Sequence, residues 1–156
     1  MLKIMREMKV VRKISQNRDD YIIIVGCGRL GSHLANLLSK ARKSVVVIDK
    51  EEKAFNRLSE EFSGFTIEAD AIEIDTLLKA KIDKADVVVT TTNDDNTNIM
   101  IAQIAKSIYG VPKVIARLFE PARQKIYEEL EIETLCPTVL SALEFKNIIV
   151  GKEMED

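Results

Sequence analysis

The segment Tyr-Ile-Ile-Ile-Val-Gly-Cys-Gly-Arg-Leu-Gly, residues 21–31, joins an apolar run to a glycine-rich turn. The β-branched run of residues 21–25 predicts a buried strand, and leucines at helical spacing predict a helix directly after the turn. Gly26 permits a tight turn, Gly28 leaves room for a phosphate where any Cβ would clash, and Gly31 lets the helix pack closely on the strand. This G-x-G-x-x-G pattern, in a strand–turn–helix context, predicts a nucleotide phosphate at the helix N-terminus.

Outward from this segment, short apolar runs alternate with stretches of helical periodicity. Strands that are apolar on both faces are typical of a parallel sheet covered by helices. Alternating strands and helices with short loops predict a doubly wound α/β domain of the Rossmann type, with six parallel strands in the order 3-2-1-4-5-6 and helices on both faces. Strands are predicted at residues 21–25, 44–49, 65–68, 86–90, 113–117 and 132–135, and helices at residues 29–41, 51–62, 72–80, 93–109, 121–130 and 137–150.

An acidic residue, Asp49, ends the predicted second strand 21 positions after Gly28. At this place in a dinucleotide-binding fold, a carboxylate accepts hydrogen bonds from ribose hydroxyls and repels a 2′-phosphate. The neighbouring Lys50 is weak compensation for that repulsion. The site is therefore predicted to prefer an adenosine with a free 2′-hydroxyl over NADP(H). The alternative is a glycine turn and a strand-end acid that bind no ligand.

Arg29 lies inside the glycine loop, in the first turn of the predicted helix. A cation at a helix N-terminus is mildly unfavourable unless an anion is near. We therefore interpret Arg29 as a candidate for contacting a β- or γ-phosphate, the alternative being a solvated arginine. Cys27 and Leu30 complete the predicted phosphate loop.

The composition is that of one globular domain, with 156 residues, 17.6 kDa, 46% apolar and 31% charged residues. No apolar run is long enough to span a bilayer, and the start does not resemble a secretory signal. The two cysteines, Cys27 and Cys136, suit a reducing compartment better than a disulfide framework. The only histidine, His33, has no evident acidic partner, so we predict neither a catalytic residue nor a metal site.

The charge is unevenly distributed, because residues 1–18 carry a net charge of +5 and the whole chain carries −2. The acidic remainder argues against general nucleic-acid binding. We divide the chain into a basic amphipathic extension at residues 1–20, a nucleotide-binding domain at residues 21–150 and a tail at residues 151–156. The extension could lie on anionic lipid or on a partner protein, and the alternative is a frayed terminus.

Later segments carry a family resemblance together with the glycine loop. They are Val47-Ile48-Asp49-Lys50, Glu68-Ala69-Asp70-Ala71, the Thr90–Asn98 segment after strand four, and Val114-Ile115-Ala116-Arg117 with Glu120-Pro121. From about residue 21 to residue 150, the chain resembles the nucleotide-binding domain of Trk/Ktr potassium-uptake regulators, the TrkA-N, KTN or RCK N-terminal domain. Ala69 replaces the usual glycine of the family, and Asn96 stands where glutamate is common.

The resemblance implies roles for residues outside the glycine loop. Asp70 and Ala71 would lie beside the adenine, although Asp70 could instead cap the following helix. Thr90, Thr91 and Thr92 would border the phosphates or a second nucleoside, or else satisfy nearby backbone groups.

Two further residues would act from the neighbouring strands. Asn98 would brace the loop after strand four. Arg117 would hold phosphates at or near a subunit interface, the alternative being an interior salt bridge. Family members that bind a cation near the nucleotide often have glutamate after the proline that follows strand six. Here Thr138 follows Pro137, so this cation site is not expected.

The resemblance implies a cytoplasmic regulatory subunit of a potassium channel or transporter, held at the inner face of the membrane through the channel subunit. The ligand would be ATP, ADP, AMP or NAD(H). We expect a homo-oligomer, or a ring with a sister subunit that carries a C-terminal RCK domain, because no such domain is predicted in the present sequence. The last predicted helix is apolar on several sides, which also suggests burial against another subunit.

Two other functions remain open at the level of the sequence. One is the nucleotide-binding subunit of an NAD-dependent oxidoreductase whose substrate domain is on another chain. The other is nucleotide-dependent regulation of a process unrelated to potassium.

Overall fold

A computed structural model describes residues 20–152. The expected N-terminal extension therefore lies almost wholly outside the described residues, as does most of the expected tail. The elements in chain order are β1 (Tyr21–Val25), α1 (Arg29–Lys40), β2 (Ser44–Asp49), a 3₁₀ segment (Glu52–Arg57), β3 (Phe65–Glu68), α2 (Ile74–Lys79), β4 (Val87–Thr90), α3 (Asp95–Gln103), β5 (Lys113–Arg117), α4 (Gln124–Glu129), β6 (Glu133–Leu135) and α5 (Pro137–Val150).

The six strands form one sheet in the order β3-β2-β1-β4-β5-β6, and every neighbouring pair is parallel. The predicted fold class and strand order are confirmed. In the central strand β1, Ile22 and Ile24 face one side of the sheet and Ile23 and Val25 face the other. All four are buried, as expected for a strand with helices on both faces.

Each face of the sheet is covered by a different set of elements. The face of Ile22 packs against α1 and the 3₁₀ segment, which contribute Ala35 and Ala54 to that core. The opposite face packs against α2, α3 and α4, with Ile101 of α3 and Leu77 of α2 fully buried. The chain after β1 runs onto one face as α1, and the chain after β4 runs onto the other face as α3. A cleft opens between the loops that follow these two neighbouring strands.

The helix predicted at residues 51–62 is not an α-helix. Only Glu52–Arg57 is helical, as a 3₁₀ segment, and Leu58 returns to an extended conformation with ψ of 141°. The backbone N–H of Ser59 donates to Oδ1 of Asn36 on α1, at 3.0 Å. This side-chain acceptor replaces a helical carbonyl, so contact with α1 accompanies the early end of the helix.

Two other predicted helices differ in their termini. The helix predicted at residues 93–109 begins at Asp95, because Asp94 is its N-cap and accepts from the N–H of Asn96 at 3.0 Å. It continues past Gln103 as a π turn over Ile104–Ile108. The helix predicted at residues 121–130 begins with a 3₁₀ turn before α4. The remaining predicted ends differ by no more than two residues.

The last helix, α5, is unlike the others in residues 20–152, because none of its residues is buried. No helix in this part of the chain combines the length and apolar character needed to cross a membrane. The apolar side chains of α5 are exposed along its length: Val139, Leu140, Leu143, Phe145, Ile148, Ile149 and Val150. Burial of this surface against another subunit stays a prediction.

Candidate functional site

A cavity of about 910 Å³ opens at the carboxyl ends of β1, β2, β3 and β4. Its volume lies within the range of small-molecule sites, about 300–1,000 Å³. The position is the crevice where ligands bind in open α/β sheets. Val25 of β1 pairs with Ile48 of β2 on one side and with Thr90 of β4 on the other. The loops that follow these three strands are therefore brought together at one edge of the sheet.

The glycine loop after β1 forms one wall of the cavity. Gly26 has φ of +104°, a backbone conformation that residues other than glycine rarely adopt. Its N–H donates to the carbonyl of Ile48 at 2.8 Å. Gly31 lies on α1, and a Cβ at that position would stand 1.9 Å from the carbonyl oxygen of Gly26. These two glycines are required by the fold of the loop itself.

Gly28 differs from the other two glycines of the loop. Its φ of −78° and ψ of −162° are open to any residue, and a Cβ built on it meets no heavy atom within 4 Å. Within residues 20–152, therefore, neither backbone strain nor packing explains a glycine here. Gly28 lines the cavity beside the N-terminus of α1, where free N–H groups and the helix dipole favour an anion.

The carboxylate of Asp49 connects the end of β2 to two loops. Its Oδ2 accepts from the N–H of Cys27 at 2.8 Å, and its Oδ1 accepts from the N–H of Glu51 at 2.8 Å. Each oxygen can accept a further hydrogen bond, and Asp49 lines the cavity. The side chain therefore fixes the glycine loop and still offers acceptors to a ligand hydroxyl.

Cys27 lines the cavity, but its thiol is buried against the 3₁₀ segment, where Sγ donates to the carbonyl of Ala54 at 3.4 Å. Burial, and then the negative charge of Asp49, raise the pKa of this thiol to about 11, although Arg57 acts in the opposite direction. The thiol is therefore protonated at neutral pH, and it is a poor nucleophile there.

The loops after β2 and β3 face each other across the cavity. Oδ1 of Asp70 accepts from the N–H of Ile72 at 3.0 Å, so it caps a local turn, whereas the N-cap of α2 is Glu73. Nζ of Lys50 lies 4.0 Å from Oδ2 of Asp70, with both side chains partly exposed. Such a pair contributes little to stability. Both groups are therefore available to a ligand, and Ala71 lines the cavity beside them.

The threonines that follow β4 are held mainly by protein groups. Oγ1 of Thr90 donates to the carbonyl of Asn98 at 3.1 Å, and Oγ1 of Thr91 lies 2.9 Å from the carbonyl oxygen of Gly26. Both threonines are buried. These contacts fit the alternative that the side chains satisfy nearby backbone groups. Thr91 and Thr92 also line the cavity.

Asn98 is fully buried on α3 and joins the ends of β4 and β5. Its Oδ1 accepts from the N–H of Thr92 at 2.9 Å, and its Nδ2 donates to the carbonyls of Thr92 and Arg117 at 3.0 and 3.2 Å. Asp95 adds a second connection, because it accepts from the N–H groups of Phe119 and Glu120. The loops after β4 and β5 are thus tied to one helix, α3.

Arg117 does not line the cavity. Its guanidinium stacks 4.0 Å above the centroid of the Phe119 ring, and its buried Nε has no hydrogen-bond partner. Within residues 20–152, no carboxylate forms an ion pair with it, so the interior salt bridge considered from the sequence is not present there. Its role toward phosphates at an interface stays a prediction.

The residues predicted from the sequence fall into two groups. Those that line the cavity are Gly26, Cys27, Gly28, Asp49, Lys50, Asp70, Ala71, Thr91 and Thr92. Those that lie outside its lining are Arg29, Leu30, Gly31, Thr90, Asn98 and Arg117. The first group is assembled at one place, and ligand contact for all fifteen stays a prediction.

Several lining residues were missed by the sequence reasoning, above all on the 3₁₀ segment and the loop after β4. They are Glu51, Lys53, Asn56, Arg57, Asn93, Asp94 and Thr97. The available signal was the spacing of Lys50, Lys53 and Arg57 after the acidic strand end. No group of three or more potential metal-ligating side chains occurs among the described residues.

Known proteins share this fold and sequence. The TrkA-N domain model matches residues 22–137. The Trk system potassium uptake protein TrkA of Streptomyces coelicolor is 37% identical over 115 residues, which are 74% of this chain and 52% of that protein. This chain spans about half the length of the curated relatives it matches.

Two solved structures of GsuK are similar as well. The structure described as GsuK bound to ADP is 25% identical to this chain, with a TM-score of 0.73. The match covers 90% of this chain and 36% of the GsuK chain. The structure described as the GsuK channel bound to NAD is also 25% identical, with a TM-score of 0.72. That match covers 85% of this chain and 23% of the GsuK chain. With a family model matching most of the described residues, this chain belongs to the TrkA-N domain family.

Proposed function

We propose that this chain is the nucleotide-sensing regulatory domain of a Trk/Ktr-type potassium channel or transporter. The observation that carries the proposal is Gly28, which lines the cavity at the N-terminus of α1. Neither backbone strain nor packing among the described residues requires a glycine at this position. A phosphate against this backbone would explain the absence of a side chain.

The ligand is an adenine nucleotide, either ATP, ADP or AMP, or NAD(H). Its phosphates lie against residues 26–31, and the ribose hydroxyls donate to the free acceptor positions of Asp49. ADP and NAD, which are named for the two GsuK structures, share this adenosine ribose. A 2′-phosphate would meet the Asp49 carboxylate, so NADP(H) binds more weakly.

The output of the domain is regulatory rather than catalytic. The relatives named TrkA are potassium uptake proteins, which supports action on a membrane potassium transporter or channel. The exposed apolar surface of α5 supports association with further copies of this domain, or with a sister subunit carrying an RCK domain. In such a ring the domain would sit in the cytoplasm at the inner face of the membrane, with residues 21–150 as its folded unit.

Regulation follows from differential binding. A nucleotide that fits one arrangement of neighbouring domains better than another shifts the population toward that arrangement. The size of the shift is set by the ratio of the two affinities, and the same ratio couples the pore back to the nucleotide.

The ribose contact is tested by a cycle of two proteins and two ligands. We expect 2′-deoxy-ADP to bind the unmodified chain at least about tenfold more weakly than ADP, because a hydrogen bond to a charged acceptor contributes about 1.5–3 kcal/mol. Asp49→Ala should weaken ADP binding by a similar factor and should no longer distinguish the two ligands. Isothermal titration calorimetry measures all four affinities.

Asp83→Ala serves as the control, because it removes an exposed carboxylate between α2 and β4, outside the lining of the cavity. It should leave both affinities unchanged. Equal preference for ADP and 2′-deoxy-ADP in the unmodified chain would remove the proposed role of Asp49. Tighter binding of NADPH than of NADH would contradict the proposed ribose preference.

A further inference from the structure

The 3₁₀ segment Glu52–Arg57 is fastened to the glycine loop and to α1. At its middle, the carbonyl of Ala54 accepts from the thiol of Cys27 at 3.4 Å. Just beyond its end, the N–H of Ser59 donates to Asn36 of α1 at 3.0 Å. Arg57 lies between these two attachments in the chain, so its backbone is held beside the glycine loop and α1.

Arg57 lines the cavity and has no protein counter-ion within the described part of the chain. No carboxylate lies within ion-pair distance of it, although Glu51, Asp49 and Asp70 line the same cavity. Its positive charge acts on the glycine loop, because it lowers the pKa of Cys27 and so opposes part of the rise that burial and Asp49 cause. Arg29, in contrast, is exposed and lies outside the lining.

We propose that Arg57 is a phosphate-binding residue of this site and pairs with the phosphate chain of the bound nucleotide. The inference rests on the proposed function, since it requires a nucleotide in the cavity. A guanidinium is suited to this task because its planar donors match phosphate oxygens in bidentate geometry. The glycine loop supplies backbone N–H groups to one side of the phosphates, and Arg57 supplies a full positive charge from the other.

Arg57 could instead contact the 2′-phosphate of NADP(H), because cationic side chains after the second strand bind that group in NADP-binding folds. Two observations favour the phosphate chain. The Asp49 carboxylate occupies the ribose end and would repel a 2′-phosphate. The attachment of Ala54 to Cys27 places the 3₁₀ segment against the loop where the phosphate chain is expected.

The test measures adenosine, AMP, ADP, NADH and NADPH binding to the full chain and to Arg57→Ala by calorimetry. We expect Arg57→Ala to weaken ADP binding about tenfold, as for loss of a charge-assisted hydrogen bond, and to change adenosine binding less than about twofold. ADP binding to the unmodified chain should also fall more steeply with salt than binding to the variant. Arg57→Lys should retain part of the affinity.

Lys40→Ala is the matched control, because it removes one positive charge at the opposite end of α1 and should change no affinity. Equal loss of adenosine and ADP in Arg57→Ala, or no loss of either, would overturn the inference. A loss confined to NADPH would overturn it as well, since Arg57 would then contact a 2′-phosphate. If the unmodified chain binds ADP and NADH but Arg57→Ala binds them equally well, this inference fails and the proposed function stands. If the unmodified chain binds none of these nucleotides, both fail.

Discussion

Replacing Gly31 with alanine is expected to destabilise the domain by about 3 kcal/mol or more, because the new methyl group has no space. Its Cβ would lie 1.9 Å from the carbonyl oxygen of Gly26 and 2.6 Å from Oγ1 of Thr91. Relief would require α1 to move away from the end of β1, in the middle of the sheet. Urea unfolding followed by circular dichroism measures the loss.

The control for this experiment is the glycine three positions earlier. Gly28→Ala introduces the same methyl group into open space, so its midpoint should stay near that of the unmodified chain. A Gly31→Ala variant as stable as Gly28→Ala would contradict the close approach of α1 to the turn after β1.

Gly28→Ala is expected to weaken ADP and NADH binding by about tenfold or more while the fold is retained, because the methyl group would occupy the position of a phosphate. The stability change should stay within about 1 kcal/mol. Alanine restricts the unfolded chain, which stabilises the fold, but it is a poorer N-cap than glycine, which destabilises it. Calorimetric titration and thermal unfolding of the same sample measure both effects.

This combination separates a ligand-binding glycine from a structural one. Binding of ADP by Gly28→Ala as tightly as by the unmodified chain would show that the phosphates lie elsewhere. Loss of both binding and stability would show that Gly28 is needed by the fold, in contradiction to the open space around it.

The central part of the fold could be predicted because local chemistry and periodicity agree there. The run of Tyr21–Val25 is apolar on both faces, as a central parallel strand requires, and the glycine turn has local reasons for Gly26 and Gly31. Asp49 could be placed at the same edge because parallel strands end together. These signals depend on few residues and on no distant contact.

The 3₁₀ segment could not be predicted in this way. Residues 51–62 show apolar residues at helical spacing, but the helix ends early beside α1, where Asn36 captures the N–H of Ser59. Such a contact depends on how two elements pack, which a local pattern does not contain. The position of Arg57 in the cavity follows from the same packing, so the sequence pointed to Arg29 instead.

Asn98 and Arg117 show a similar division. The resemblance implied that Asn98 braces the loop after strand four and that Arg117 holds phosphates. Asn98 contacts backbone groups of the loop after β4 and of β5. Arg117 lies over Phe119 outside the cavity. Motif positions thus include residues that shape the loops as well as residues that line the site, and only the three-dimensional contacts separate the two.

Amide hydrogen exchange of the unmodified chain, measured by mass spectrometry with and without saturating ADP or NADH, tests most directly whether the cavity is a nucleotide site. We expect slower exchange in peptides covering residues 26–31 and 49–57, because the phosphates and ribose engage these loops, and unchanged exchange at residues 118–131. Unchanged exchange in both loops with either nucleotide, or protection confined to α5, would contradict nucleotide binding in this cavity.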